Sequence, residues 1–460
     1  MPVTAPLWTS AEIAGATGGA ASADFSVEGV AFDSREVGPG DLFVALTGES
    51  TDGHRFVEQA FAQGAAGAIV ARPIAYPHVL VGDTGAALDA LGAAGRARSR
   101  ATIIGVTGSV GKTSAKEALF AALDRGRPGA VHRSVKSYNN HVGVPLSLAR
   151  MPRDVRFAVF EMGMNHAGEL AALTRLVRPH IAIVTAIAPV HMEFFADEAA
   201  IAAAKAEIFE GLEAGGTAIV PADSVHRDLL ASTAQANGAR IVTFGTAKDA
   251  DVRAAEVMRV QTGGSYVTAR VGARELSFTL CQPGAHWVSN ALAVLAAVDA
   301  AGADLGLAGL ALAELGGLAG RGARFMAKVA GGEALVIDES YNASPLAMRA
   351  TLSVLAEEKG RHVAVLGDML ELGTGSADYH AALAAPIVAA RVASVLLVGE
   401  AMGALAERLE GQVDVVHVPD AAAALDRIDT VLAPGDAVLV KGSNGIGLSR
   451  LIARLVGGKT

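Results

Sequence analysis

Short runs of valine, isoleucine and other apolar residues alternate along the chain with longer Ala- and Leu-rich stretches. A continuous apolar run reads as a strand buried on both faces, and its alternation with helices predicts largely parallel sheets covered on both sides. The pattern falls into three stretches. Residues 1–98 hold the strand-like runs VEGVAFDS, DLFVAL, GAAGAIVA and HVLVGD, separated by Gly-rich turns and helical segments, and predict a small α/β domain. Residues 99–323 hold TIIGVTG, FAVFEMG, IAIVTAI and TAIVPAD, then a helix NALAVLAAVDAAGA. Between about 250 and 282, VRAAEV, SYVTARV and ELSFTL alternate with period two and predict an antiparallel addition to the same domain. Residues 324–460 restart the pattern with ALVIDES, HVAVLGDM, SVLLVGE, VDVVHV and AVLVKGS, a third α/β unit.

Length and composition agree with this division. At roughly 150 residues per domain, 460 residues suggest three. Apolar residues are 51% and charged ones 18%, so large cores can form. A net charge of −9 without a long basic run disfavours a nucleic-acid partner, and 5% aromatics disfavour a base-stacking platform. The single cysteine, Cys281, excludes an intrachain disulfide framework and fits a reducing cytoplasm. No basic segment followed by an apolar block opens the chain, and no uncharged apolar run is long enough to span a membrane. A cytoplasmic protein is therefore expected, and a monomer, since nothing reads as a large apolar seam.

The first chemistry lies after the strand TIIGVTG. The segment Gly108-Ser109-Val110-Gly111-Lys112-Thr113-Ser114 leads straight into the helical AKEALFAAL. Glycines let the backbone wrap with its N–H groups inward, and the following helix adds its positive end. Lys112 suits phosphate oxygens and Thr113 suits Mg²⁺. Val106 stands where the strict phosphate-loop pattern has its first glycine. A Gly-rich turn with a surface lysine is the plainer reading, but strand, loop and helix follow in the order nucleotide binding needs. A phosphate loop alone names no reaction.

Further carboxylates and cations follow. Glu161 ends the apolar strand FAVF, a position suited to holding a metal beside the loop. His191 follows the run IAIVTAIAPV, and Lys205 sits in the Ala-rich helical segment AAAKAEIFEGL. Taken alone, the histidine reads as structural and the lysine as solvated.

Six ordered blocks change that weighting: TGSVGKTS, SYNNHVGVPLSL, EMGMNHAGEL, HMEFF followed by AKAEIF, HWVSNALAVLAA, and DESYNASP. Together they resemble the Mur ligase family across essentially the whole chain. The resemblance implies a UDP-binding N-terminal domain, a central ATPase domain and a C-terminal Rossmann-like domain. It implies ATP and two Mg²⁺ ions as cofactors. Gly108 to Ser114 would hold the phosphates, with Thr113, Glu161, His191 and a carbamylated Lys205 around the metals. Lys112, Glu161, His191 and Lys205 would carry the catalysis. Asn290, placed at the start of its helix, resembles an adenine contact, and Arg324, Asp338, Tyr341 and Asn342 resemble nucleotide contacts from the C-terminal domain. Ser34 and Arg35 resemble the uridine-diphosphate region. Asn139, Asn140, Asn165 and His166 lie in blocks that line the muramyl-peptide and acyl-phosphate region.

DSREVGPGDLFVAL, SYNASP and VAVLGDMLELG resemble the branch that joins D-alanyl-D-alanine to UDP-N-acetylmuramoyl-tripeptide. That reaction would use ATP to make an acyl phosphate, which the dipeptide amine then attacks. Asn444 departs from the branch, where an arginine is usual, so no charge-based acceptor role is carried over to it. The alternatives are another Mur-family amide ligase, third-residue-adding or folylpolyglutamate type, and a phosphate-loop ATPase uncoupled from ligation. A degenerate nucleotide-binding module is disfavoured, because Lys112, Thr113, Glu161, His191 and Lys205 are all present.

Overall fold

The computed structural model describes residues 5–48, 51–260 and 263–457. Three principal sheets succeed one another along the chain. The first has five strands in the order Ala20–Ala21, His78–Leu80, Gly67–Val70, Asp41–Val44, Gly29–Ala31, and all but the first pair in parallel. The helix Thr84–Arg98 closes this region; Asp83 caps it by accepting from the backbone N–H of Gly85 and Ala86.

The second sheet has nine strands. From one edge they run Val131–Arg133, Phe157–Glu161, Thr102–Thr107, Ile181–Val184, Thr217–Pro221, Arg240–Gly245 and Val252–Arg259, all parallel. Ser265–Val271 and Arg274–Leu280 then add antiparallel, as their period-two pattern predicts, whereas Val252–Arg259, expected with them, joins Arg240–Gly245 in parallel. One face is covered by the helices Lys112–Asp124, Ala285–Ala300 and Leu305–Glu314, the other by helices that include Glu169–Val177 and Glu198–Ala206. Ile103, Ile104, Val159 and Ile183 are wholly buried, each worth about 1.5–3 kcal/mol in burial.

The third sheet orders Ala323–Val329, Gly332–Glu339, Ala437–Lys441, His362–Gly367, Val392–Val398 and Asp414–Val418. Only the first pair is antiparallel. The edge strand Ala323–Val329 escaped the sequence reading because its outer face carries Lys328 and a half-buried Arg324 instead of a continuous apolar run. Two further sequence expectations need correction. The helix bearing Asn290 starts at Ala285, so Asn290 lies in its second turn and not at its beginning. The strand before His191 ends at Val184, which leaves His191 in the loop beyond it.

Candidate active site

Three parallel strand ends meet at one crevice. Thr102–Thr107 lies between Ile181–Val184 and Phe157–Glu161, so their carboxyl ends share an edge of the sheet. From Thr107 the chain turns through Gly108 (φ 145°) and Gly111 (φ 87°) into the helix Lys112–Asp124. Glycine is needed twice here. A Cβ on Gly108 would lie 2.0 Å from Thr185 Oγ1, and one on Gly111 would lie 2.6 Å from Asn290 Oδ1. Thr185 Oγ1 donates to the carbonyl of Val110 at 2.6 Å, and Ser109 Oγ donates to that of Ala188 at 3.0 Å, which fixes the loop from the neighbouring strand's extension. No side chain caps the helix, so its first N–H groups remain available to an anion.

The loop opens onto a cavity of about 600 Å³. Its central-domain wall includes Ser109 to Ser114, Ser137, Asn139, Glu161, Asn165, His191, His286, Trp287 and Asn290. The opposite wall, from the third sheet and the segment leading into it, includes Arg321, Glu339, Tyr341, Asn342 and Lys441.

Glu161 is the organising carboxylate. Its Oε2 accepts from Thr113 Oγ1 at 2.9 Å and its Oε1 from Asn139 Nδ2 at 2.8 Å. The fully buried Lys116 brings Nζ to 3.6 Å from Glu161 Oε2 and 3.2 Å from Glu117, and donates to the carbonyl of Lys136. Lys112 Nζ donates to the carbonyl of Gly108 at 2.6 Å, and burial pushes its pKa down to about 8 against the pull of Glu161. Lys205 is 1% exposed, and among the described residues its ammonium has neither an ion pair nor a hydrogen bond. Burial, reinforced by Lys112, lowers its pKa well below the ordinary lysine value. His191 is lowered as well, by burial first, with Glu371 opposing and Lys205 assisting.

On the facing wall Lys441 Nζ donates to the carbonyl of Asn342 at 3.0 Å and lies 3.5 Å from Glu339 Oε2. Burial lowers the lysine and raises the glutamate. The guanidinium of Arg321 sits 4.2 Å over the ring of Tyr341.

The cavity thus gathers Gly108's loop, Lys112, Thr113, Glu161, His191, Asn139, Asn165, Asn290, Tyr341 and Asn342. Lys205 stands just behind this lining. Arg324 does not itself line this cavity: it pairs with Glu358 at 2.7 Å and lines a small adjoining pocket that shares His286, Trp287, Glu339 and Thr351 with it. Asp338 is buried and already engaged, accepting from Gly320 N at 2.7 Å and Ser340 Oγ at 2.6 Å, so it ties the segment before the third sheet to the turn that follows its own strand. Asn140 Oδ1 accepts from the backbone N–H of Val142 and Gly143 just before the helix Gly143–Ala149, and His166 is exposed against Glu169. Ser34 and Arg35 lie outside the cavity, on the turn Ser34–Glu36. Glu36 of that turn accepts from Tyr138 Oη at 2.8 Å and pairs with Lys136, which links the first domain to the segment leading to Asn139. Asn444 is exposed.

Sequence reasoning missed Lys116, Arg321, Glu339, Lys441 and Glu371. Lys441 and Glu371 stand in blocks that were already conspicuous, VKGS and GDMLELG. Lys116 follows the phosphate loop by one helical turn, which places it on the same side as Lys112.

This is the site of a three-domain phosphate-loop enzyme. Family models match the chain as a Mur ligase middle domain over residues 106–298, as a Mur ligase glutamate ligase domain over 323–444, and as the catalytic domain of the Mur ligase family over 26–121. The chain is 36% identical over 438 residues to the UDP-N-acetylmuramoyl-tripeptide–D-alanyl-D-alanine ligase of Escherichia coli (strain K12), covering 94% of each. It is 34% identical to the Bacillus subtilis (strain 168) protein of the same name, covering 94% of this chain and 93% of that one. A crystal structure of MurF from Acinetobacter baumannii superimposes with a TM-score of 0.84 at 31% identity, over 98% of this chain and 99% of that one. The chain belongs to the Mur ligase family, and is an ATP-dependent ligase of it.

Proposed function

We propose that the chain joins D-alanyl-D-alanine to UDP-N-acetylmuramoyl-tripeptide, with ATP as the source of activation, giving the UDP-linked pentapeptide, ADP and phosphate. The observation that carries the reading is one cavity in which a phosphate loop and Glu161 face Arg321, on the segment leading into the third sheet, and Lys441 within that sheet. The acceptor is taken from the relatives of that name, which match nearly end to end.

A carboxylate and an amine do not condense in water, so the tripeptide carboxylate first takes the γ-phosphoryl group of ATP. Positioning and charge stabilisation carry that step. The loop N–H groups and Lys112 hold the phosphates. Asn290, packed against Gly111, would contact the adenine, with Tyr341 and Asn342 beside it and Arg321 serving in place of Arg324. Asn139 and Asn165 would face the muramyl peptide, with Asn140 and His166 at its margin. Ser34 and Arg35 would meet the uridine diphosphate at the end of the route marked by Glu36 and Tyr138. The acyl phosphate must be kept from water, and walls drawn from two domains serve that need.

The donor set suits Mg²⁺, which prefers one or two carboxylates, phosphate oxygens and water. Thr113 Oγ1 and Glu161 offer oxygens beside the phosphate loop, and His191 offers a ring nitrogen. Among the described residues no three His, Cys, Asp or Glu side chains converge, so phosphate and water would complete the shell. Bound there, Mg²⁺ neutralises the charge that develops on the moving phosphoryl oxygens. Carbamylation would turn Lys205 from a repelling cation into an anion for a second ion. Its lowered pKa supports this, since only the neutral amine combines with CO₂.

The three domains are proposed to divide at 98/99 and 323/324, and the working unit to be a cytoplasmic monomer. Among the described residues no helix is long and apolar enough to cross a membrane. The test is product mass after incubation with ATP, Mg²⁺ and UDP-muramyl-tripeptide. A pentapeptide product with D-alanyl-D-alanine, and none with single amino acids or glutamate, is expected; the reverse preference would move the chain to another branch of the family.

A further inference from the structure

Among the described residues only five non-glycine residues have positive φ, a region that side chains with a Cβ rarely adopt. Two of them, His191 (φ 56°) and Glu371 (φ 61°), meet across the boundary between the central and C-terminal domains. His191 Nδ1 is hydrogen-bonded to Glu371 Oε2. The backbone N–H of Glu193 donates to the carbonyl of Glu371 at 3.3 Å, and Gly373 packs so closely that a Cβ there would lie 3.3 Å from Glu193 Cα. The loop offering Glu371 is itself anchored. Met369 N donates to His380 Nε2 at 2.9 Å and Leu370 N to Ser443 Oγ at 3.0 Å, both within the C-terminal domain. A rigid mount on one domain thus presents a carboxylate to one nitrogen of a histidine that lines the cavity of the other.

We propose that Glu371 is a positioning residue of the ATP site: it holds His191 by its Nδ1–H, leaves Nε2 for the cavity, and so completes the cation site only while the two domains are docked. A carboxylate on one ring nitrogen fixes the tautomer and the orientation of the other. Cation binding and domain docking then favour one another, since such coupling is reciprocal. The inference rests on the reading of His191 as a cation ligand.

The experiment uses the full-length chain with ADP and measures Mn²⁺ affinity from the free-ion electron paramagnetic resonance signal. A ¹⁵N spectrum of histidine-labelled protein reports the tautomer, and the thermal midpoint checks folding. E371A is expected to weaken Mn²⁺ about tenfold and to disperse the His191 Nδ1–H signal, at an unchanged midpoint because Glu371 is exposed. E371Q should recover part of the loss, since its amide oxygen still accepts from Nδ1. E371A added to H191A should cost nothing more, because the two act as one unit. If H191A leaves Mn²⁺ affinity intact, the ligand reading of His191 falls, and this inference with it. If H191A weakens Mn²⁺ while E371A keeps wild-type affinity and tautomer, the positioning role alone is overturned.

Discussion

Two buried lysines, Lys205 behind the central-domain wall of the cavity and Lys441 on its C-terminal wall, are held differently. Lys205 is buried with no ion pair or hydrogen bond among the described residues, beside a second cation, Lys112. On the C-terminal wall Lys441, equally buried, has Glu339 at 3.5 Å and the carbonyl of Asn342 at 3.0 Å. A buried, unpaired ammonium is costly and is driven towards its neutral form, while a paired one can stay charged. Burial lowers both, but only Lys441 has a carboxylate opposing that shift from hydrogen-bonding distance, whereas Lys205 has nothing of the kind among the described residues to hold its proton.

The sharpest way to break the comparison is to remove both lysines in turn. K205A should lower kcat by about 100-fold or more, as expected for loss of a group that supports the metal, and stripping CO₂ from the buffer should reproduce part of that loss in the wild type. K205A with unchanged kcat would make Lys205 as structural as any core residue. K441M should destabilise the fold by about 3 kcal/mol, because Glu339 is left buried without its partner, and K441M/E339Q should recover most of that in chemical denaturation. A double variant no more stable than K441M would show that the pair is not the unit.

A smaller effect sharpens the C-terminal side. R321A should raise KM for ATP about tenfold, the scale of one lost charge-assisted contact, whereas R324A should leave KM alone and lower the thermal midpoint by removing the pair with Glu358. Steady-state kinetics on both separate the two arginines, and the opposite pattern would restore Arg324 to the site.

The smallest effect is on acid stability. Burial holds His286 on the cavity and His132 in the central domain at about 4. Between that value and the ordinary 6.5 the unfolded chain binds the extra protons, so stability falls as pH drops through this window. H132N should flatten that limb in a pH series of unfolding midpoints, and an unchanged slope would show that His132 is not its source.

Much of the central wall was legible in the sequence, because its residues follow local rules. A GKT segment between strand and helix puts Lys112 and Thr113 on a loop suited to phosphate, and a carboxylate closing an apolar strand puts Glu161 beside them. The C-terminal wall was not legible in the same way. Arg321 and Arg324 stand three residues apart near one strand start, and only the pairing of Ala323–Val329 with Gly332–Glu339 decides which faces the cavity. Lys441 and Glu339 become partners because Ala437–Lys441 lies beside Gly332–Glu339 in parallel register, a contact across 102 residues of chain. His191 and Glu371 depend on the docking of two domains, which no local pattern encodes.

The reaction itself is tested most directly by phosphate release from ATP and Mg²⁺ with UDP-muramyl-tripeptide, measured with and without D-alanyl-D-alanine. Release that requires both substrates, with one phosphate for each amide formed, is the expected result. Release that continues unchanged when both are withheld would contradict it, and would leave an ATPase uncoupled from ligation.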